Sequence, residues 1–416
     1  SFVMEYSPSD RVCVVVFGDR GGQKLTEPLV SDPSAPDWEE KEYTVYSYDT
    51  DNDLANIERD ISPNVYLTFG DWQKFTKLSN APYSVRRKWL NFDPQEPLKK
   101  VGQHILDLYA RLCFEPPNSQ PLMSVITGAY KCGEKILRPY ESLKKQTYTN
   151  WEWIIYDDSD DNSETFHLLQ AIANLDYRVK LFKGTRRSGR IGQVKRNGFR
   201  LASGDFLCEL DHDDVLTDNC LEWLVKTFNR YPEAGMAYTD CCEFIESDGS
   251  CVNYGNDFAF GYGSYRTEIY KGKEYLVTNY PRLNQKTIRH IVGVANHVRC
   301  WRSTTYDSIG GHNPNLHEVD DYELIVRTFL ESRIAHIPKL GYIQYVNEDH
   351  SNITNKRRAE IQRIVKLVQQ YYDQKIHDRL LELKLPDLLW DNSSNSSYLY
   401  KDIPMCSLHG CIVADV

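Results

Sequence analysis

Residues 207–216, LCELDHDDVL, place Asp211, Asp213 and Asp214 directly after the apolar run Phe206-Leu207-Cys208. A strand that leaves a core and ends in clustered acids delivers negative charge to a sheet edge, where water and ligands are met. Carboxylates this close repel one another, so a fold tolerates them best with a cation or a donor network between them. Hard oxygens of this kind suit Mg²⁺ or Mn²⁺, ions that commonly bridge protein acids to a substrate diphosphate. Taken alone, the triplet reads better as a solvated acidic turn ahead of a helix over 218–230. Its company in the sequence reverses that reading.

Positioning such a cluster requires a sheet. Residues 123–127 (MSVIT) and 153–156 (WIIY) read as strands, the second ending in Asp157-Asp158-Ser159-Asp160-Asp161. Helices are predicted over 135–146, 165–175 and 193–202, with another strand over 179–182. Strands alternating with helices of this length argue an α/β fold, a mostly parallel sheet with helices on both faces. Ligands of such sheets bind outside the carboxyl ends of the strands. Polar clusters at 127–130, 157–161 and 211–214 mark three such ends, and their convergence on one crevice is the pattern of a nucleotide site.

Ahead of this unit, residues 1–117 read as a smaller, Rossmann-like α/β domain. Strands are predicted over 12–17, 43–48 and 64–69, and helices over 72–78 and 98–112. Its role stays open between a degenerate nucleotide fold and an acceptor-docking module. Asp19-Arg20-Gly21-Gly22 lacks the full glycine fingerprint of a phosphate cradle and reads as a plain turn. Glu115-Pro116-Pro117-Asn118-Ser119 is a linker. The main unit spans 118–354. From 355 to 416 follow a helix running through 383 and a polar tail.

Composition narrows the partners. The 416-residue chain carries a net charge of −10, which argues against non-specific binding to nucleic acid or anionic membranes. An anionic ligand must then be met by a local basic patch or a metal. Eleven scattered cysteines show no paired zinc-ligand spacing, so reduced thiols in a cytosol-like compartment are expected rather than secretion. The sequons at Asn352, Asn392 and Asn395 matter only in a secreted chain. No apolar run approaches the ~20 residues that span a bilayer, and no signal peptide opens the chain. An opening on Ser1 rather than Met is compatible with a piece of a larger polypeptide. Nothing in the sequence sets the oligomeric state.

Four ordered blocks carry a family resemblance: PLMSVITGAY, SLKKQTYTNWEWIIYDDSDDNSE, KRNGFRLASGDFLCELDHDDVL and GGHNPNLHEVDDYELIVR. Over about residues 121–354 the chain resembles the inverting family 2 glycosyltransferases of the GT-A fold. The resemblance implies a UDP-sugar donor, a hydroxyl-bearing acceptor (a glycan or a protein side chain) and Mn²⁺ or Mg²⁺. It implies that Thr127, Ala129 and Tyr130 line the base and ribose, and that Asp157 and Asp158 accept the uracil imide. Asp211, His212 and Asp213 would hold the ribose-diphosphate, with Lys195 and Arg196 as phosphate contacts. Asp213 and Asp214 match the metal-holding acids, with His350 as the nearest candidate for the family's late histidine. Asp321 falls where the family places its base.

The sequence also departs from the family. Thr127-Gly128-Ala129-Tyr130-Lys131 replaces the usual proline-threonine-tyrosine-asparagine segment, and Asp320, with Glu318 nearby, replaces the customary glutamate. His297, Trp301 and Asp320 are candidates for the acceptor side. Residues 254–280, rich in Tyr, Gly and Phe, read as a flap, an acceptor surface or an ordinary loop. Two other functions share these residues. A sugar-nucleotide binding module without turnover would be free to lose Asp321 or a metal acid, yet all are present. A nucleotidyltransferase would need a glycine-rich, lysine-bearing loop after the first strand, which is missing.

Overall fold

The computed structural model describes residues 12–25, 43–81, 83–114, 120–176, 178–184, 187–255, 263–290, 292–346, 353–387 and 411–416. The smaller of two sheets is built from Val12–Phe17 (β1), Tyr43–Tyr48 (β2), Val65–Phe69 (β3) and Trp89–Phe92 (β4). All four run parallel, in the order β2-β1-β3-β4. β3 is buried throughout and β1 nearly so, in keeping with the unbroken apolar run of β1 and the one polar residue of β3, Thr68, which donates to Asn91 Oδ1 at 2.6 Å. β4 was not expected. The helix expected over 72–78 shortens to Thr76–Ser79, because Trp72 and Phe75 turn into the core against Trp89 and Phe17. The Asp19 turn is the plain one expected, with the Gly22 N–H donating to Asp19 Oδ1 at 2.9 Å.

The larger sheet contains Met123–Ala129 (β5), Trp151–Asp157 (β6), Val179–Lys183 (β7), Phe206–Glu209 (β8), Val215–Leu216 (β9) and Ala234–Ile245 (β10). It continues with Ser250–Cys251 (β11), Ser264–Tyr270 (β12), Lys273–Asn279 (β13), Arg299–Arg302 (β14), Arg333–Val346 (β15) and Cys411–Val413 (β16). Its main path is β12-β13-β10-β14-β8-β5-β6-β7, with β15 added parallel to β10. The β8-β5-β6-β7 half is parallel, and β14 runs antiparallel to β8.

Strand alternation sends neighbouring residues to opposite layers. Trp153 and Ile155 pack in a core with Tyr140, Leu169 and Leu224, from helices on one face. Ile154 and Tyr156 join Phe199, Tyr322 and Ile325 from the helices Ile191–Leu201 and Asp320–Glu331 on the other. That second core continues into Phe17, Trp72 and Phe75 of the N-terminal unit, so the small sheet packs on the face carrying those two helices. A long helix, Ile353–Glu382, covers it further with Val365, Tyr372 and Ile376.

The stretch expected as a flap or loop, 254–280, instead contains the hairpin β12–β13. Lys271 and Gly272 both sit at positive φ (51° and 75°), the mirror-image turn whose twist matches paired strands.

Candidate active site

The carboxyl ends of β6, β5 and β8 lie side by side. Thr127 Oγ1 donates to the Leu210 carbonyl at 2.6 Å and accepts from Trp153 Nε1 at 2.8 Å. Thr127 is wholly buried, so it fastens β5 to the acidic segment and cannot line a base, contrary to expectation. Ala129 is buried as well, and its carbonyl accepts the Asp158 N–H at 2.8 Å. Tyr130 stands on the rim, its ring 4.5 Å from the Arg187 guanidinium and its hydroxyl donating to Asp160 at 3.2 Å. Asp157 is buried, with Oδ2 3.5 Å from Lys183 Nζ. The Asp158 carboxylate accepts the N–H groups of Ser188 and Gly189 at 2.8 and 3.3 Å, tethering that segment across the strand end.

Beyond β8 the acids divide. Asp211, His212 and Asp213 are half-buried, whereas Asp214 is buried. Tyr342 donates its hydroxyl to Asp214 Oδ2 at 2.6 Å and accepts the Asp211 N–H at 3.1 Å. The Tyr345 N–H donates to Asp214 Oδ1 at 2.9 Å. Burial, then the negative charges of Asp211 and Asp213, push the Asp214 carboxyl up to about 8. The segment thus carries more negative charge than its own donors neutralise. That excess, on hard oxygens, fits a divalent cation. Among the described residues no three acidic, histidine or cysteine side chains form a ready cage. A cation here would be held as Mg²⁺ often is, by one or two carboxylates together with substrate phosphates. His350 lies outside the described residues.

The third part of the site opens the helix Asp320–Glu331. Val319, its N-cap, is left-handed at φ 64°, a strained conformation for a β-branched residue, and this turns the next two acids inward. Asp321 Oδ1 accepts the Tyr322 N–H at 2.8 Å, and Oδ2 accepts Arg299 Nη1 at 3.0 Å. About a third of its side chain, 35%, stays open to solvent. Burial alone would raise the carboxyl, but Arg299 and Lys195 outweigh it and hold Asp321 below the ordinary range. Asp320 is buried, 3.3 Å from Lys195 Nζ. Glu318 faces Arg357 at 3.9 Å.

What joins these parts is Glu209, the last residue of β8, which sequence reasoning missed. Its Oε2 accepts Arg299 Nε at 2.9 Å, so one guanidinium spans Glu209 and Asp321. Lys195 lies 3.9 Å away, His297 Nδ1 3.9 Å and His312 Nε2 3.7 Å. Burial would raise the Glu209 carboxyl, but these cations and donors hold it well below its usual value. The signal was available: a glutamate inside FLCEL is a buried charge in need of partners. His312, wholly buried, bonds Tyr306 through Nδ1 at 2.7 Å, and burial lowers its imidazole below the usual value. His297 stacks on Tyr342 at 4.6 Å, and burial with Arg299 brings it down to about 4.

Three expected contacts are therefore reassigned. Lys195 sits inside the charge cluster, where Asp320 and Glu209 outweigh burial and raise its ammonium. Arg196 points elsewhere, donating to the carbonyls of Gly310 and His312. Trp301 is fully buried, its Nε1 donating to Thr328 at 3.0 Å, so it has no face for an acceptor.

Residues 124–276 match the family described as Glycosyl transferase family 2. The chain carries a family 2 glycosyltransferase domain of the GT-A fold, preceded by a smaller α/β unit and followed by a helical region. It is 24% identical to the chondroitin synthase of Escherichia coli over 243 residues, 58% of this chain and 31% of that protein. It is 23% identical to the hyaluronan synthase of Pasteurella multocida over 237 residues, 57% of this chain and 22% of that protein. The chain thus spans a third or less of the length of these relatives. Among solved structures, S. aureus TarS (residues 1–349) in complex with UDP-GlcNAc shares 18% identity, covering 62% of this chain and 71% of that one at a TM-score of 0.44.

Proposed function

We propose that this chain transfers a hexose from a UDP-sugar to an acceptor hydroxyl on a glycan or protein, with inversion at the anomeric carbon. The observation that carries the reading is the Asp321 carboxylate. It is kept ionised, partly open, and tied through Arg299 and Glu209 to the strand end bearing Asp211 and Asp213. Displacing a nucleoside diphosphate needs a base within hydrogen-bond reach of the acceptor hydroxyl, on the face opposite the leaving group. Asp321 takes that proton. Arg299 fixes its orientation, and the helix N-terminus favours its charge. A single carboxylate acting with in-line attack gives inversion.

Asp213 and Asp211 would hold Mn²⁺ or Mg²⁺, with Asp214 anchored behind them. When bound, the ion neutralises charge on the departing diphosphate. Tyr130 supplies a stacking face on the rim, and Asp158 holds the 188–189 segment beside it, while Asp157 lies buried behind them against Lys183. His297 and Asp320 support this arrangement from behind.

The test is release of UDP from UDP-glucose, UDP-galactose and the UDP-N-acetylhexosamines in Mn²⁺. At least one donor should turn over, EDTA should abolish the activity, and Mn²⁺ should restore it. Full activity in thoroughly chelated buffer contradicts the cation. Tight UDP binding without turnover of any donor would favour the binding module.

A further inference from the structure

A cavity of about 200 Å³ opens where the helix Ile191–Leu201 and the Gly310-Gly311 turn meet residues 79–81 and Arg86 of the N-terminal unit. Three arginines line it, Arg86, Arg196 and Arg200, against one acid, Asp307. Asp307 forms an ion pair with Arg86, whose Nε also donates to the Ala81 carbonyl at 2.8 Å. Arg196 is held by the carbonyls of Gly310 and His312, the second at 2.9 Å. Arg200 has neither a hydrogen bond nor an ion pair among the described residues. Burial, then the positive charges of Arg196 and Arg86, bring its guanidinium down to about 10.

These positions are unfavourable for the protein alone. Arg196 and Arg200 are four apart on one helix, where like charges face and repel each other. A half-buried cation without a counter-ion is costly. An oxyanion between them reverses both effects, and the planar guanidinium fork matches phosphate oxygens in pairs. None of the residues at the three acidic strand ends lines this cavity.

We propose that this seam is a phosphate-binding site, taking a small phosphate monoester between Arg196 and Arg200, with Arg86 of the N-terminal unit closing it. The N-terminal unit then contributes a wall of a ligand site as well as packing. The proposal does not depend on glycosyl transfer, because its readouts are binding and would stand if no donor turned over.

The test is calorimetric titration of the full chain with inorganic phosphate and, separately, glucose 1-phosphate, at an ionic strength held constant with chloride. The wild type should bind, and Arg200→Gln should weaken binding at least about tenfold, the loss of one charge-assisted pair. UDP affinity should be unchanged in the same variant. In phosphate-free buffer Arg200→Gln should melt at or above the wild-type temperature, since it removes an uncompensated charge. Tighter binding of glucose 1-phosphate than of phosphate supports an organic ligand, and equal binding supports phosphate alone. Absence of binding in the wild type overturns the proposal, as does equal binding by Arg200→Gln. A lower melting temperature of that variant in phosphate-free buffer assigns Arg200 a structural role instead.

Discussion

Glu209 shows how much of this site depends on a residue that touches no substrate in the proposed mechanism. A carboxylate in an apolar strand is tolerated because Arg299, Lys195 and two histidines surround it, and the same Arg299 then orients Asp321. The acidic clusters were legible in the sequence because they interrupt apolar runs at strand ends. Their partners were not, since Arg299 lies 90 residues further along the chain than Glu209 and only the β8–β14 pairing brings them together. Glu152 obeys the same physics and is easier to measure. Burial would raise its carboxyl, but Lys180, with Ser124 and Ser203, brings it down to about 2. A depressed folded-state value means stability that is present above the ordinary carboxylate range and lost as pH falls through about 2. Glu152→Gln should cost about 3 kcal/mol at pH 7. The gap to wild type, read by denaturant titration, should narrow steadily below about pH 4.5.

At the scale of elements, the placement of Asp321 depends on how the helix Ile191–Leu201 meets the loop before Asp320. Gly192 sits at that contact, its N–H donating to the Leu316 carbonyl at 3.3 Å. A Cβ there would stand 2.7 Å from the same carbonyl oxygen and closer still to that of Asn313. Gly192→Ala, ordinarily favourable within a helix, should therefore displace the loop. The expected result is a clear loss of turnover with UDP affinity retained, and wild-type turnover would show that the loop position does not matter. Helices and buried strands of the main unit followed their sequence periods closely. The misses have local causes. Residues 254–280 were read by their aromatic and glycine content, while the Lys271-Gly272 turn and its flanking alternation marked a hairpin. Trp301 reads as an acceptor-side candidate because nothing local reveals that β14 is an inner strand, between β10 and β8, with its ring turned into the core.

For the whole molecule, the decisive feature is the seam between the two sheets. Phe17, Trp72 and Phe75 share a core with Tyr156 and Phe199, and Arg111 reaches across to the Ser203 carbonyl at 2.9 Å. Arg86 pairs across the same seam with Asp307. Units joined through a common apolar core unfold together. Scanning calorimetry of the full chain should show one cooperative transition, and two well-separated ones would mean that the N-terminal unit is only tethered. The linker expected at 115–119 lies outside the described residues. That the two units would pack was not legible, because it depends on surfaces far apart in sequence.

The central claim is that Asp321 removes the acceptor proton, and Asp321→Asn tests it most directly. The substitution keeps the shape and the hydrogen bond to Tyr322 but removes basicity. Turnover with a donor that the wild type uses should fall by about 10²–10⁴-fold, with UDP affinity nearly unchanged. Asp320→Asn, which only weakens the tie to Lys195, should cost much less. If Asp321→Asn retains wild-type turnover while Asp320→Asn or Glu318→Gln is inactive, another carboxylate is the base and the account of this site is wrong.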